Sequence, residues 1–274
     1  GIASVASMII VNFEVECTVD DVLVYELETV FGFFPQSALE NQVGLPISES
    51  DSAVYDAPIH NLVQLNAPKK ADWDPNRPKL AEPMLLMIDR VTGYDPTGGE
   101  AGLGIARAEK DINPAEWFFK CHFFQDPVQP GSLGIEAMVQ LLQWFMLEKN
   151  LDEGIENPRF ETLGLGVEMA WKYRGQVIPE NVLVSSTIEV TEIHHEDDGV
   201  LVICDASLWS DGKRIYEAEG LGMRIVSGGT PGGETFVIDP TTDDAWLNDH
   251  CPTWTAPALP MMSMVDLLAQ GATH

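Results

Sequence analysis

Positive charge is scarce in this chain. Its 274 residues carry 15 Lys and Arg against 43 Asp and Glu, a formal net charge of −28. Such a surface repels phosphate, which excludes DNA or RNA binding as a main task and disfavours an anionic membrane surface. Cysteine is scarce as well. Cys17, Cys121, Cys204 and Cys251 form no C-x-x-C pair, and a chain of this length needs no disulfide framework. They read as reduced thiols of a cytoplasmic protein. The apolar start GIASVASMIIVNFEVE has no basic flank, so it is not a signal peptide. No apolar run suits a bilayer. The longest, Leu133 to Leu147, carries Glu136 and reaches only ~22 Å at ~1.5 Å per residue, short of the ~30 Å hydrocarbon core. The chain opens on Gly1 rather than Met, which suggests an excised or processed piece.

What is present is globular composition, 45% apolar and 21% charged, in a length that allows one or two domains. Residues 8–18 and 23–33 alternate and are rich in β-branched and aromatic residues. They predict two strands joined by a tight turn at Asp20-Asp21. Residues 46–82, rich in Pro, Asp, Asn and Ala, predict a linker or a strap over a surface. Then LLMIDRVTGY (85–94) predicts a strand, and 98–111 a turn leading into another. An aromatic loop, WFFKCHFFQDPVQPGS (117–132), precedes a helix over 133–147. Four strand candidates follow at 161–175, 182–195, 199–210 and 213–226, the last two joined by the hairpin signal Asp211-Gly212. One apolar helix followed by antiparallel strands is an α+β plan, a sheet wrapped around one helix.

Two echoes run through the chain. DDVLVYELETVFGFF (20–34) repeats the pattern of DGKRIYEAEGLGMRI (211–225). Pro-x5-acid-x3-Gln occurs twice, as Pro130, Glu136, Gln140 and as Pro260, Asp266, Gln270, with His122 before the first and His250 before the second. The organisation expected is therefore 1–45 as the final strands of a preceding unit, 46–82 as the strap, 83–228 as one complete unit, and 229–274 as a linker and the opening of a following unit.

The chemistry concentrates at the aromatic loop and the helix. His122 in apolar surroundings is pushed toward neutral imidazole, a competent base. Glu136 lies one turn into an apolar helix and shares a face with Gln140 and Gln143. A carboxyl in such surroundings stays a proton donor more readily. Gly131 precedes the helix, where free amides and the positive end of the helix dipole can hold a carbonyl oxygen as it becomes an enolate. Base plus acid beside an apolar helix suits removal of water across a C–C bond. The residues alone leave open a structural His122 and a Glu136 that merely bonds a loop backbone. His194-His195-Glu196-Asp197-Asp198 reads as a solvated turn rather than a metal site, since adjacent strand residues point to opposite faces. No other metal site is expected. GGEAGLG (98–104) lacks GK[ST] and a following helix, so it is not a phosphate loop.

WFFKCHFFQDPVQPGSLGIEAMVQL, with LLMIDRV (85–91), DINP (111–114) and RGQVIP (174–179), strongly resembles the bacterial 3-hydroxydecanoyl-acyl-carrier-protein dehydratase family, a branch of the hotdog fold. The echoes on both sides resemble the tandem dehydratase region of a polyunsaturated fatty acid synthase. The resemblance implies a hotdog over 83–228, paired with a second hotdog, because His and acid of one site come from two different hotdogs. It implies dehydration of 3-hydroxyacyl thioesters to 2-enoyl thioesters. His122 would remove the α-proton, Glu136 would assist departure of the β-hydroxyl, and the Gly131 amide would hold the thioester carbonyl with the Cys121 backbone beside it. Gln140, Phe123 and Pro130 are the expected substrate-binding residues, and His250 with Asp266 a second site. No bound cofactor is expected; the substrate rides on the phosphopantetheine of an acyl carrier protein. Two features depart from the family. The acid is Glu136, as in the sister branch that dehydrates without isomerising, which puts isomerase activity in doubt. EIHHEDDG (192–199) replaces a basic carrier-docking surface, so a carrier tethered in the same polypeptide is expected. A hotdog thioesterase and a non-catalytic spacer hotdog are the competing classes.

Overall fold

The computed structural model describes residues 2–5, 8–35, 42–57, 62–65, 76–161 and 164–228. Three antiparallel strands come first, in a sheet of their own: β1 (Ile2–Val5), β2 (Met8–Val19) and β3 (Val22–Phe33). Asp20 and Asp21 join β2 to β3 and both take positive φ, 49° and 62°, as a two-residue hairpin turn requires. The register sorts the side chains by chemistry. Phe13, Val15 and Cys17 lie on one face with Tyr25, Leu27 and Phe31, while Glu14 stands opposite Glu28 and Glu16 opposite Glu26 on the other.

The Pro- and Asp-rich stretch is described at 46–57, 62–65 and 76–82. It contains helix α1 (Glu49–Tyr55) and strand β4 (Val63–Gln64). Helix α1 starts with a capping box: the Ser48 hydroxyl accepts the Asp51 amide and the Asp51 carboxylate accepts the Ser48 amide. A helix this short does not persist on propensity. It is held by the sheet beneath it, where Tyr55 stacks on Trp209 with centroids 4.3 Å apart. Buried Arg214 donates to the Pro46 carbonyl at 2.9 Å and pairs with Asp51 at 3.2 Å. Gly44, at φ 79°, passes so close to the Arg214 carbonyl that a Cβ there would sit 2.4 Å from its oxygen.

The main body follows as β5 (Arg90–Asp95), β6 (Ile105–Asp111), helix α2 (Trp117–Cys121), helix α3 (Gly131–Glu148), β7 (Pro158–Phe160), β8 (Ala170–Tyr173), β9 (Leu183–His195), β10 (Gly199–Ser210) and β11 (Lys213–Ser227). The antiparallel sheet runs β4-β5-β6-β9-β10-β11-β7, with β8 also on β11. Wrapped around one central helix, this is a hotdog fold. Of the expected strand over 161–175, only β8 (Ala170–Tyr173) forms among the described residues, and β7 already ends at Phe160. Two glycines explain the break. Gly166 has φ 75°, and Gly164 packs against the Gly222 backbone, where a Cβ would lie 2.8 Å from its carbonyl oxygen.

Helix α3 is apolar on almost every side, the mark of a helix enclosed by its sheet. Met138, Leu141, Leu142, Phe145 and Met146 are fully buried and pack on Ile188, Val190, Val202, Leu208 and Ile225 from the strands. Each such side chain is worth roughly 1.5–3 kcal/mol of burial. The helix ends at Glu148, and Asn150 just beyond it takes φ 54°, with the Leu151 amide donating to the Met146 carbonyl at 3.0 Å and the Asn150 amide to that of Leu147 at 3.1 Å. The face of the sheet turned away from α3 lies under α1. A cavity of about 900 Å³ there is lined by Asp51, Glu100, Glu189, Asp205 and Glu217 among others. The GGEAGLG turn faces it, and its Glu100 amide donates to the Glu189 carboxylate. A carboxylate occupies the amide a phosphate would need.

Candidate active site

The aromatic loop is a short helix followed by a pinned turn. Helix α2 carries Phe118 and Phe119 into the core and is capped at its end by His122, whose amide donates to the Phe118 carbonyl at 3.0 Å. Gln125 takes φ 57° to turn the chain, Phe123 and Asp126 form an isolated bridge, and the Gln129 amide donates to the Val177 carbonyl at 2.9 Å. Pro130 then caps α3, and Gly131 opens it.

This turn fixes the imidazole. His122 Nδ1 lies 2.9 Å from the Val128 carbonyl oxygen, and the ring stacks on Phe123 with centroids 3.9 Å apart. A carbonyl oxygen only accepts, so Nδ1 carries the hydrogen and neutral His122 keeps its lone pair on Nε2. Phe123 is 56% exposed, so the stacked pair stands at the protein surface.

Glu136 is half-buried on the first turns of α3. Its Oε1 accepts from Gln140 Nε2 at 2.7 Å. Gln140 does not fit the expected substrate-binding role. Its side chain is 0% exposed, its Nε2 also donates to the Leu85 carbonyl at 2.8 Å, and its Oε1 accepts the Met87 amide at 2.7 Å. The amide is spent on the protein. Sequence spacing correctly put Gln140 on the face of Glu136, but a residue on that face can serve the carboxylate instead of a ligand. Gln143, also on that face, reaches only the Met223 sulfur at 3.9 Å.

Cys121 was expected to contribute its backbone. It is the last residue of α2, so its amide points back toward the Trp117 carbonyl. Only its carbonyl, an orphan acceptor at a helix end, is left for the site. Gly131 opens α3, with its amide among the four that lack an intrahelical partner. A Cβ at Gly131 would lie 3.2 Å from both Trp171 Cη2 and Tyr173 Cε2. One turn on, Gly134 lies against Tyr216, where a Cβ would be 2.1 Å from the ring. Trp171, Tyr173 and Tyr216 therefore form an aromatic floor under the helix start, with Tyr173 and Tyr216 centroids 4.7 Å apart. Burial raises the Tyr173 hydroxyl above its usual range; the nearby Tyr216 hydroxyl works against this and Asp126 adds to it. Asp126 belongs to the His122 turn, so the turn and the floor are neighbours. This floor was not among the expected site residues; the run AWKYRG was the available signal.

Among the described residues, no hydrogen bond joins His122 to Glu136. His250 and Asp266 lie outside the described residues. His194 Nε2 lies 2.6 Å from the Glu192 carboxylate.

Residues 80–219 match the FabA-like domain family. A polyunsaturated fatty acid synthase subunit of Thraustochytrium sp. is 34% identical over 83% of this chain, which spans only 16% of that protein's length. Among solved structures, a dehydratase heterocomplex from Xenorhabdus doucetiae covers 55% of this chain and 88% of its own at 11% identity and TM-score 0.37. A mutant thioesterase from Pseudomonas aeruginosa covers 52% and 83% at 14% identity and TM-score 0.33.

Proposed function

The chain belongs to the FabA-like family, and on that footing we propose that residues 83–228 dehydrate 3-hydroxyacyl thioesters to 2-enoyl thioesters in fatty acid synthesis. The observation that carries this reading is the contact of His122 Nδ1 with the Val128 carbonyl at 2.9 Å. It leaves Nε2 as a base in a loop beside a free helix N-terminus.

In the reaction, Nε2 takes the proton from C2 of the acyl group. The electron pair moves into the thioester, and the enolate oxygen is met by the Gly131 amide and the positive end of α3. The enolate then collapses: the thioester carbonyl re-forms, the electron pair becomes the C2=C3 double bond, and the C3–O bond breaks. Its electrons leave with the hydroxyl, which takes the proton of a Glu136 carboxyl and departs as water. The imidazolium and the carboxylate return to their starting charges by passing one proton from His122 to Glu136 through solvent. The absence of a hydrogen bond between His122 and Glu136 among the described residues supports a site that takes its acid from a neighbouring hotdog.

The same reading makes β1–β3 the end of a preceding hotdog-like unit and 229–274 the opening of a following one, with His250 and Asp266 as its reactive pair. The relative is one part of a synthase, and a tethered acyl carrier protein bringing substrate on phosphopantetheine overcomes the mutual repulsion of two acidic surfaces.

Incubating the chain with a 3-hydroxyacyl-pantetheine thioester tests the reading. Enoyl thioester is the expected product. Free acid would make the chain a thioesterase, and unchanged substrate a structural hotdog.

A further inference from the structure

The geometry points to Trp171 as the residue that selects the acyl chain, an inference that rests on the dehydratase reading above. If the thioester carbonyl is held at Gly131, the first carbons of the acyl group must pass whatever surrounds that glycine. Two rings do so, Trp171 and Tyr173, each 3.2 Å from the position of a Cβ. They differ in what they offer a ligand. Tyr173 is largely enclosed, with its hydroxyl facing Tyr216. Trp171 is 41% exposed on β8, so part of its face is open apolar surface.

That face is held in place. Trp171 meets Tyr173 edge-on, with centroids 6.1 Å apart at 85°, and Tyr216 at 5.7 Å and 64°. Its backbone is fixed opposite Ala218 on β11. A rigid aromatic surface costs little ordering entropy when an alkyl chain lies on it. A short acyl group ends before it can cover the indole, whereas a longer unbranched one lies along it. Trp171 thereby favours longer chains, and it acts through binding rather than through the proton transfers.

The test compares wild type, Trp171→Ala and Trp171→Phe. Calorimetry measures the affinities of unreactive thioether analogues of butyryl- and octanoyl-pantetheine, and turnover is followed on the matching 3-hydroxyacyl thioesters. Trp171→Ala is expected to lower the octanoyl-to-butyryl affinity ratio about tenfold. The KM of the octanoyl substrate rises by the same factor relative to that of the butyryl substrate, and Trp171→Phe retains most of the preference. An unchanged ratio in Trp171→Ala, with wild-type turnover present, overturns the role of Trp171 and leaves the reaction standing. Absence of turnover on either substrate by wild type overturns the reaction, and this inference with it.

Discussion

The Gln140 carboxamide holds the Glu136 carboxylate at 2.7 Å from one turn along the same helix. The orientation of the amide is not ambiguous. Its oxygen must face the Met87 amide and its nitrogen the Leu85 carbonyl, so it can only donate to Glu136. Oε1 of Glu136 is therefore always an acceptor. A transferable proton has to sit on Oε2, on the side away from Gln140.

Gln140→Leu should act on both stability and chemistry. It leaves the buried Met87 amide without its partner, at about 1–3 kcal/mol, while the carbonyl of the 44% exposed Leu85 can turn to solvent. Denaturant midpoints should fall accordingly, and kcat should drop while KM changes little, because Glu136 loses its support. A stable variant with normal kcat would show that the clamp is dispensable.

His122→Ala should reduce turnover by about 10²–10⁴-fold, the usual contribution of a general base. The half-exposed ring makes one hydrogen bond, to Val128, so the melting temperature should move little. Steady-state kinetics beside thermal unfolding decides this; retained turnover would remove His122 from the reaction.

Gly134→Ala should be the more damaging of two adjacent glycine substitutions. Its new Cβ would fall 2.1 Å from the fully buried Tyr216 ring, against 3.2 Å from Trp171 for Gly131→Ala. Overpacking of this kind costs about 1–3 kcal/mol. Comparing the two variants by urea unfolding checks the order.

Asp211 supplies a pH dependence. Burial opposes its ionised form, but the Leu183 amide, the Asn181 side chain and the Val182 amide outweigh it and hold the carboxyl below its usual range. A carboxyl depressed in the folded state contributes stability above its unfolded pKa of about 3.9, and loses it as pH falls through the lower folded value. Asp211→Asn should thus melt below wild type at neutral pH, and the gap should close below about pH 4. A gap that persists in acid would assign the loss to the turn backbone instead.

Much of the hotdog was legible because its signals are local. The run from Leu133 to Leu147 is too apolar for anything but a covered helix, and alternation with Asp211-Gly212 marked β9 to β11. Helix α1 was hidden among Pro and Asp because Trp209 and Arg214, far along the chain, hold it; its one local sign was Ser48 three residues before Asp51. Residues 161–175 read as one strand because alternation ignores what Gly164 and Gly166 do to a ladder. At the site, His122 and Glu136 stood out as reactive types in apolar stretches. The role of Gln140 depends on burial, and that of Trp171 on β8 lying beside Gly131. Neither can be read from spacing.

The two-faced sheet β1–β3 has a colloidal consequence. Phe13, Phe31, Phe33 and Tyr25 stand exposed on a protein whose net charge is −28. In dilute buffer that charge acts over about 30 Å and keeps copies apart before their apolar faces can meet. At molar salt its reach is about 3 Å. Ionic strength, more than concentration, would then decide whether the chains stay dispersed. Salt that strengthens apolar contact would also remove the repulsion that opposes it, so both effects favour association as salt rises.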